Sequence, residues 1–115
     1  MAEPDVRPIT IVIPLYQGVT QLDFTGPHQF FSRLPGTEVI VASIDAQPVS
    51  ADGLVFSGLH DLGRVSRCDV LCVPGGVGCS EAMASDEYMN SIRRLAQAAT
   101  YVTSVCTGSL ILGAA

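Results

Sequence analysis

The chain has 115 residues, a formal net charge of −5 and 48% hydrophobic residues, which allow one modest domain and exclude an intrinsically disordered chain. All six basic residues are arginines, they form no basic run, and eleven acidic residues outnumber them, so we expect no nucleic-acid-binding surface. Each apolar run is interrupted early, and the acidic start MAEPDVRP does not resemble a signal peptide. We therefore expect neither a membrane-spanning helix nor a secretory leader.

The first 43 residues predict a β-α-β unit. Residues 9–15 form a nearly continuous β-branched run, the pattern of a strand buried on both faces. A helix is expected to open at Thr25-Gly26-Pro27, with proline near its first position, and to end at Pro35-Gly36. A second strand is expected over residues 38–43.

The remaining residues continue the alternation of strands and helices. Short extended pieces with turns, including a small hairpin, are expected over residues 48–57, and a helical turn over residues 60–65. The other predicted elements are strands at 69–73 and 101–104, helices at 80–83 and 86–99, and a final helix that begins near Gly108. Four such strands predict an α/β doubly wound, mostly parallel sheet with helices on both faces.

Three chemically suggestive segments fall at the carboxyl ends of predicted strands, where doubly wound sheets bind their ligands. These segments are residues 21–27, the glycine loop (residues 74–78) and Cys106-Thr107-Gly108. Each would be a weak signal by itself. Their shared location predicts one site that contains all three.

Cys106 is the candidate nucleophile. A strand that turns abruptly into a helix needs small residues two positions before and after the corner, and Ser104 and Gly108 supply them. The start of the following helix would favour a thiolate, so the elbow predicts a lowered thiol pKa. A buried structural cysteine is the alternative that this pattern leaves open, although the pattern favours a reactive one.

Gly75-Gly76 and Asp23 are the other candidate site residues. Two glycines after a buried strand let backbone N–H groups approach a ligand or a developing anion, although a plain loop would also explain them. Asp23 could share a proton with a nearby cysteine or cap a helix, and its spacing favours neither role. His28 and His60 lie outside any elbow-like context, so we expect helix packing for His28 and a surface position for His60.

The four cysteines at positions 68, 72, 79 and 106 do not predict a metal centre or a disulfide. Their spacings lack the short C-x2-C ligand pair that structural zinc favours. Cys68 and Cys72 are expected on one face of a single strand, about 13 Å apart. Scattered cysteines in an acidic chain are typical of a reducing cytoplasm.

The segments 22–27, 73–78 and 101–110 together resemble the ThiJ/PfpI superfamily, and among its branches most closely the isocyanide hydratases. The resemblance covers nearly the whole chain. It implies a flavodoxin-like domain related to class I glutamine amidotransferases, a homodimer, and a carboxylate hydrogen-bonded to the elbow cysteine, here Asp23. The protease-like branch has histidine directly after its cysteine, whereas this chain has Thr107, so peptidase activity is not expected.

The resemblance also implies an activity, that of a lyase which hydrates isocyanides to N-formamides through a thioimidate on Cys106. Asp23 would transfer the proton, while Thr107, Gly75 and Gly76 would hold the adduct and position water. This chemistry needs no metal and no organic cofactor. The expected partner is a small isocyanide, which the neighbouring apolar residues Leu22, Phe24 and Val77 suit if it is lipophilic.

Three other readings stay open. The same domain serves as a sensor in AraC-type transcription regulators, it occurs in glyoxalase- or chaperone-like stress proteins, and its cysteine can be inert. The resemblance further implies a domain about twice as long as four strands need. Because the chain stops about one turn into the helix after the elbow, we expect residues 1–115 to be the front part of such a domain.

Overall fold

The computed structural model describes residues 7–115, which contain seven strands and four helices. Two 3-10 turns, Ile44–Ala46 and Leu62–Arg64, complete the elements. The strands are β1 (Ile9–Pro14), β2 (Thr37–Ser43), β3 (Val49–Ala51), β4 (Leu54–Phe56), β5 (His60–Asp61), β6 (Val70–Val73) and β7 (Tyr101–Ser104). The helices are α1 (Gln21–Ser32), α2 (Cys79–Ala84), α3 (Asp86–Ala98) and α4 (Gly108–Ala114).

Within the described residues, five strands form one parallel sheet in the order β5-β2-β1-β6-β7. The predicted hairpin is confirmed as β3 and β4, an antiparallel pair that turns at Asp52-Gly53. Helix α1 joins β1 to β2, whereas α2 and α3 join β6 to β7. The connection from β1 to β2 and the connection from β6 to β7 run toward opposite edges of the sheet. Because such crossovers are right-handed, α1 covers one face of the sheet and α2 and α3 cover the other. This arrangement confirms the predicted doubly wound fold.

The predictions for residues 60–65 and for the strand that contains Cys68 are wrong. The helical turn expected over residues 60–65 is split, since His60–Asp61 form β5 beside Ala42 and Ser43 of β2 and only Leu62–Arg64 turn. A two-residue polar strand has no apolar run by which sequence could find it. Strand β6 begins at Val70, so Cys68 precedes the strand in which it was expected. The Thr10 amide of β1 donates to the Asp69 carboxylate and is therefore not available to a backbone carbonyl before β6.

Helix α1 begins at Gln21, four residues before the predicted start. Its first amide, Gln21 N–H, donates to the carboxylate of Asp52 on the β3–β4 turn at 2.9 Å, so a residue 31 positions away supplies the cap. Pro27 therefore lies inside the helix rather than at its first turn. It removes one hydrogen bond, the one that the carbonyl of Asp23 would have accepted.

The core lies between the sheet and the helices. Its centre is formed by buried strand residues such as Val12, Ile13 and Leu71, with Ile92 and Leu95 of α3 packed against them. The side chains of β7 are exposed along its whole length. No helix in residues 7–115 combines the length and apolar character needed to cross a bilayer.

Candidate active site

Cys106 lies at a sharp corner between β7 and α4. Its φ of 50° is in the left-handed region that few non-glycine residues adopt, a strain of about 1–3 kcal/mol that surrounding structure must hold in place. The Val105 amide donates to Val73 O at 2.9 Å, and the Gly108 amide closes the turn on Val105 O at 2.9 Å. The side chain of Cys106 is exposed at this corner, as a nucleophile elbow requires.

Gly108 is needed at the corner because α4 packs directly on the end of β6. A Cβ on Gly108 would collide with the carbonyl oxygen of Val73 and lie 3.0 Å from that of Pro74. We expect Gly108→Ala to lower the free energy of unfolding by at least about 1–3 kcal/mol, measured by chemical denaturation. Gly113→Ala in the same helix is the matched control, since a Cβ there meets nothing within 4 Å. Equal stabilities of the two variants would contradict this account of the corner.

Asp23 faces Cys106 from the first turn of α1. The Cys106 Sγ–H donates to Asp23 Oδ1 at 3.8 Å, across 83 residues of sequence. Asp23 is not the helix cap that its spacing left open, because Asp52 performs that role and Thr20 is the N-cap residue. The Thr20 amide donates to Gly75 O at 2.9 Å, which ties the start of α1 to the glycine loop.

The charge of Asp23 acts on the cysteine. Its carboxylate raises the pKa of the Cys106 thiol by repulsion of the thiolate and by accepting the thiol hydrogen bond, with a smaller effect from desolvation. The lowered pKa expected from the elbow alone is thus wrong in direction, since the fold also brings a carboxylate to the sulfur. A proton held between Sγ and Oδ1 can be taken up by the carboxylate when the sulfur reacts.

Thr107 and the two glycines form the wall beside this pair. The Gly76 amide donates to Thr107 Oγ1 at 3.0 Å, so it is not free for a ligand, whereas the Gly75 and Thr107 amides have no acceptor among residues 7–115. A Cβ on Gly75 would lie 2.7 Å from Thr107 N, 2.8 Å from Thr107 Oγ1 and 3.0 Å from Asp23 Oδ2. The structure therefore brings all five predicted site residues together.

Because a Cβ at position 75 would lie within 3.0 Å of both Asp23 and Thr107, a methyl group there should displace both. We expect Gly75→Ala to reduce any Cys106-dependent activity by about 10²-fold, the effect of shifting a reactive group by about 1 Å. Gly26→Ala in α1 is the control, since its Cβ would only reach ordinary contact with Leu22 at 4.0 Å. Steady-state rates of the two variants test this, and full activity of Gly75→Ala would contradict the close packing inferred at Gly75.

Phe24 and His28 do not have the surroundings that the sequence predicted for them. Phe24 is 4% exposed and packs edge-on against Phe56, so it belongs to the core, whereas Leu22 is 67% and Val77 94% exposed. His28 is exposed rather than packed under α1, and His60 is on the surface as expected. Sequence reasoning missed Asp52, whose only signal was its place in an Asp-Gly turn.

The cysteines other than Cys106 take no part in this arrangement. All four are free, and Cys68, Cys72 and Cys79 are buried. Burial raises the pKa of Cys68 to about 11 and also raises the pKa of Cys72. Within residues 7–115, no three histidine, cysteine or carboxylate side chains lie close enough to share a metal ion.

The order of these segments along the chain is that of a known family, and a model of the DJ-1/PfpI family matches residues 9–115. The chain belongs to the DJ-1/PfpI family. This DJ-1/PfpI chain is 43% identical over 102 residues to an isonitrile hydratase of Pseudomonas putida, an alignment that covers 88% of this chain and 45% of the relative.

Solved DJ-1/PfpI structures agree with the fold. A ThiJ/PfpI family protein from Pseudomonas syringae superposes with a TM-score of 0.88 at 34% identity, covering 96% of this chain and 47% of that one. Drosophila melanogaster DJ-1beta superposes with a TM-score of 0.78 at 21% identity, covering 93% and 60% of the two chains; this likeness concerns the fold alone. The chain spans about half the length of the isonitrile hydratase and of the Pseudomonas syringae protein.

Proposed function

We propose that the protein is an isocyanide hydratase that uses Cys106 as its nucleophile. The observation that carries the proposal is the Cys106–Asp23 pair, with Sγ and Oδ1 3.8 Å apart at a strained, exposed elbow. The 43% identity to an isonitrile hydratase supports this choice of substrate within the family.

In the first step, Sγ of Cys106 attacks the terminal carbon of the isocyanide, R–N≡C. Asp23 takes the thiol proton and delivers it to the same carbon, giving the thioimidate R–N=CH–S–Cys106. The position of Oδ1 beside Sγ supports this transfer. No group leaves in this step, so one proton moves and one C–S bond forms.

In the second step, water attacks the thioimidate carbon. Asp23 accepts a proton from the water, the nitrogen gains one proton, and the C–S bond breaks. The products are the N-formamide R–NH–CHO and the free Cys106 thiol, so the sum is the addition of one water molecule to the isocyanide. The free amides of Gly75 and Thr107 are the groups proposed to hold the oxygen as it develops charge.

The surroundings support an apolar substituent on the substrate. Leu22 and Val77 are the sequence neighbours of Asp23 and Gly76, and both apolar side chains are exposed, so we propose that they contact a lipophilic R group. The proposal includes a cytoplasmic homodimer. Neither step requires a metal or an organic cofactor.

The proposal is tested with the purified protein and two substrates. Incubation with cyclohexyl isocyanide should yield N-cyclohexylformamide, identified by mass spectrometry, whereas methylglyoxal should be left unchanged. Turnover of methylglyoxal alone would favour a glyoxalase-type member of the family. Turnover of neither compound would overturn the hydratase proposal and favour a sensor role.

A further inference from the structure

A cavity of about 220 Å³ lies behind the glycine loop, away from the Cys106–Asp23 pair. It opens above the carboxyl ends of β1 and β2, between the 44–49 segment and helix α2. Its floor is apolar and well buried, and it is formed by Leu15, Val49, Ala82 and the rings of Tyr16 and Tyr88. A buried apolar floor with a few polar groups at the rim is the usual character of a small-molecule site.

Most polar groups around this cavity already have partners. The Gln17 side chain donates to Pro48 O and accepts from the Ser50 amide. Ser43 Oγ donates to Gln47 O, and Ser85 Oγ accepts from the Tyr88 amide. The two tyrosine hydroxyls donate to the carbonyls of Pro74 and Pro14. These groups hold the walls in place and are not available to a ligand.

Glu81 differs from the others. It is an exposed side chain at the rim and the one charged residue among the described residues that line the cavity, and within residues 7–115 its carboxylate makes neither a salt bridge nor a hydrogen bond. Gln47 also lines the cavity, is likewise exposed, and makes no side-chain hydrogen bond in that range. The rim therefore presents one negative charge and one amide oxygen above an apolar floor.

We propose that this cavity binds a small alkylammonium ion. The ammonium group would donate to Glu81 and Gln47, since it has three donors and no acceptor, and the alkyl chain would lie on the apolar floor. The cavity volume of about 220 Å³ accommodates a short alkyl chain. The proposal does not rest on the hydratase function, because it uses no residue of the Cys106 site.

The site adjoins the glycine loop at both of that loop's ends. Tyr16 lines the cavity while its hydroxyl donates to Pro74 O at 2.8 Å, and Gly78 lines it from the other end of the loop. A ligand bound here would contact Tyr16 and Gly78.

The test is a calorimetric titration of the purified protein with 3-methylbutylammonium chloride at constant ionic strength. We expect saturable binding with a Kd on the order of 1 mM, and at least about tenfold weaker binding to Glu81→Gln because a charge-assisted hydrogen bond is lost. Glu87→Gln is the matched control, since this exposed acid lies on α3 and does not line the cavity. Its affinity should equal that of the wild type.

Three results would overturn the proposal. They are the absence of saturable binding up to about 20 mM, equal affinities of Glu81→Gln and Glu87→Gln, and equally tight binding of the neutral isostere 3-methylbutan-1-ol. Ala82→Leu, which fills the floor, should also abolish binding, and Glu81→Gln keeps the test decisive if that variant does not fold. Because no isocyanide is present, the outcome is independent of the hydratase proposal.

Discussion

Replacement of Cys106 by serine is expected to reduce isocyanide hydration by at least about 10³-fold. The hydroxyl of serine is a far weaker nucleophile than a thiol, and Asp23 is the only carboxylate shown to bond with the residue at this corner within the described chain. Serine preserves the size of the side chain, so the strained backbone at position 106 should be kept. Rates are measured as formation of N-cyclohexylformamide.

Cys68→Ala is the control for this variant. Cys68 precedes β6 at the opposite end of the sheet and is buried away from the site. It should retain wild-type turnover. A Cys106→Ser protein that folds and keeps full activity would show that the cysteine is not the nucleophile.

Asp23→Asn is expected to separate thiol reactivity from catalysis. The amide carries no charge, so the pKa of the Cys106 thiol should fall from its raised value toward that of an ordinary cysteine. At a fixed neutral pH a larger fraction of the sulfur is then thiolate, and alkylation by iodoacetamide should be faster than in the wild type. Hydration should nevertheless fall by about 10²–10⁴-fold, because the proton carrier is lost.

The pH dependence of the alkylation rate tests whether Asp23 raises or lowers the pKa of the Cys106 thiol. Since a raised pKa means that thiolate forms at higher pH, the alkylation rate of the wild type should rise at a higher pH than that of Asp23→Asn. Glu38→Gln makes the same chemical change at the start of β2, far from the elbow, and should leave the profile unaltered. A shift in the opposite direction would mean that the carboxylate stabilises the thiolate.

The sequence predicted those parts of the fold that local patterns encode. Strands β1, β2 and β7 follow from β-branched runs. Helix α3 (Asp86–Ala98) matches the helix predicted over residues 86–99, and Ser85 Oγ accepts from the Tyr88 amide at its start. The start of α1 could not be predicted, because its cap comes from Asp52 on a distant turn. Strand β5 is too short to leave a pattern.

In the candidate site, too, local patterns predicted the residues but not the contacts between distant parts of the chain. Glycines and a cysteine at strand ends identified the candidate residues, since parallel strands bring those ends together. The electrostatics could not be predicted, because the contact between Cys106 and Asp23 spans 83 residues and reverses the pKa shift that the elbow alone suggests. The cavity at Glu81 is likewise assembled from residues 15–17 after β1, the end of β2, the 44–49 segment, and helices α2 and α3, and no single sequence motif marks it.

The central claim, a covalent thioimidate on Cys106, is tested most directly by trapping it. The purified protein is mixed with cyclohexyl isocyanide, the reaction is quenched within its first turnovers, and the protein is mapped at once by mass spectrometry. We expect a gain of the mass of one isocyanide on the peptide that contains Cys106, in the wild type but not in Cys106→Ser. Continued formamide production with an unmodified Cys106, or an adduct on another residue, would contradict it.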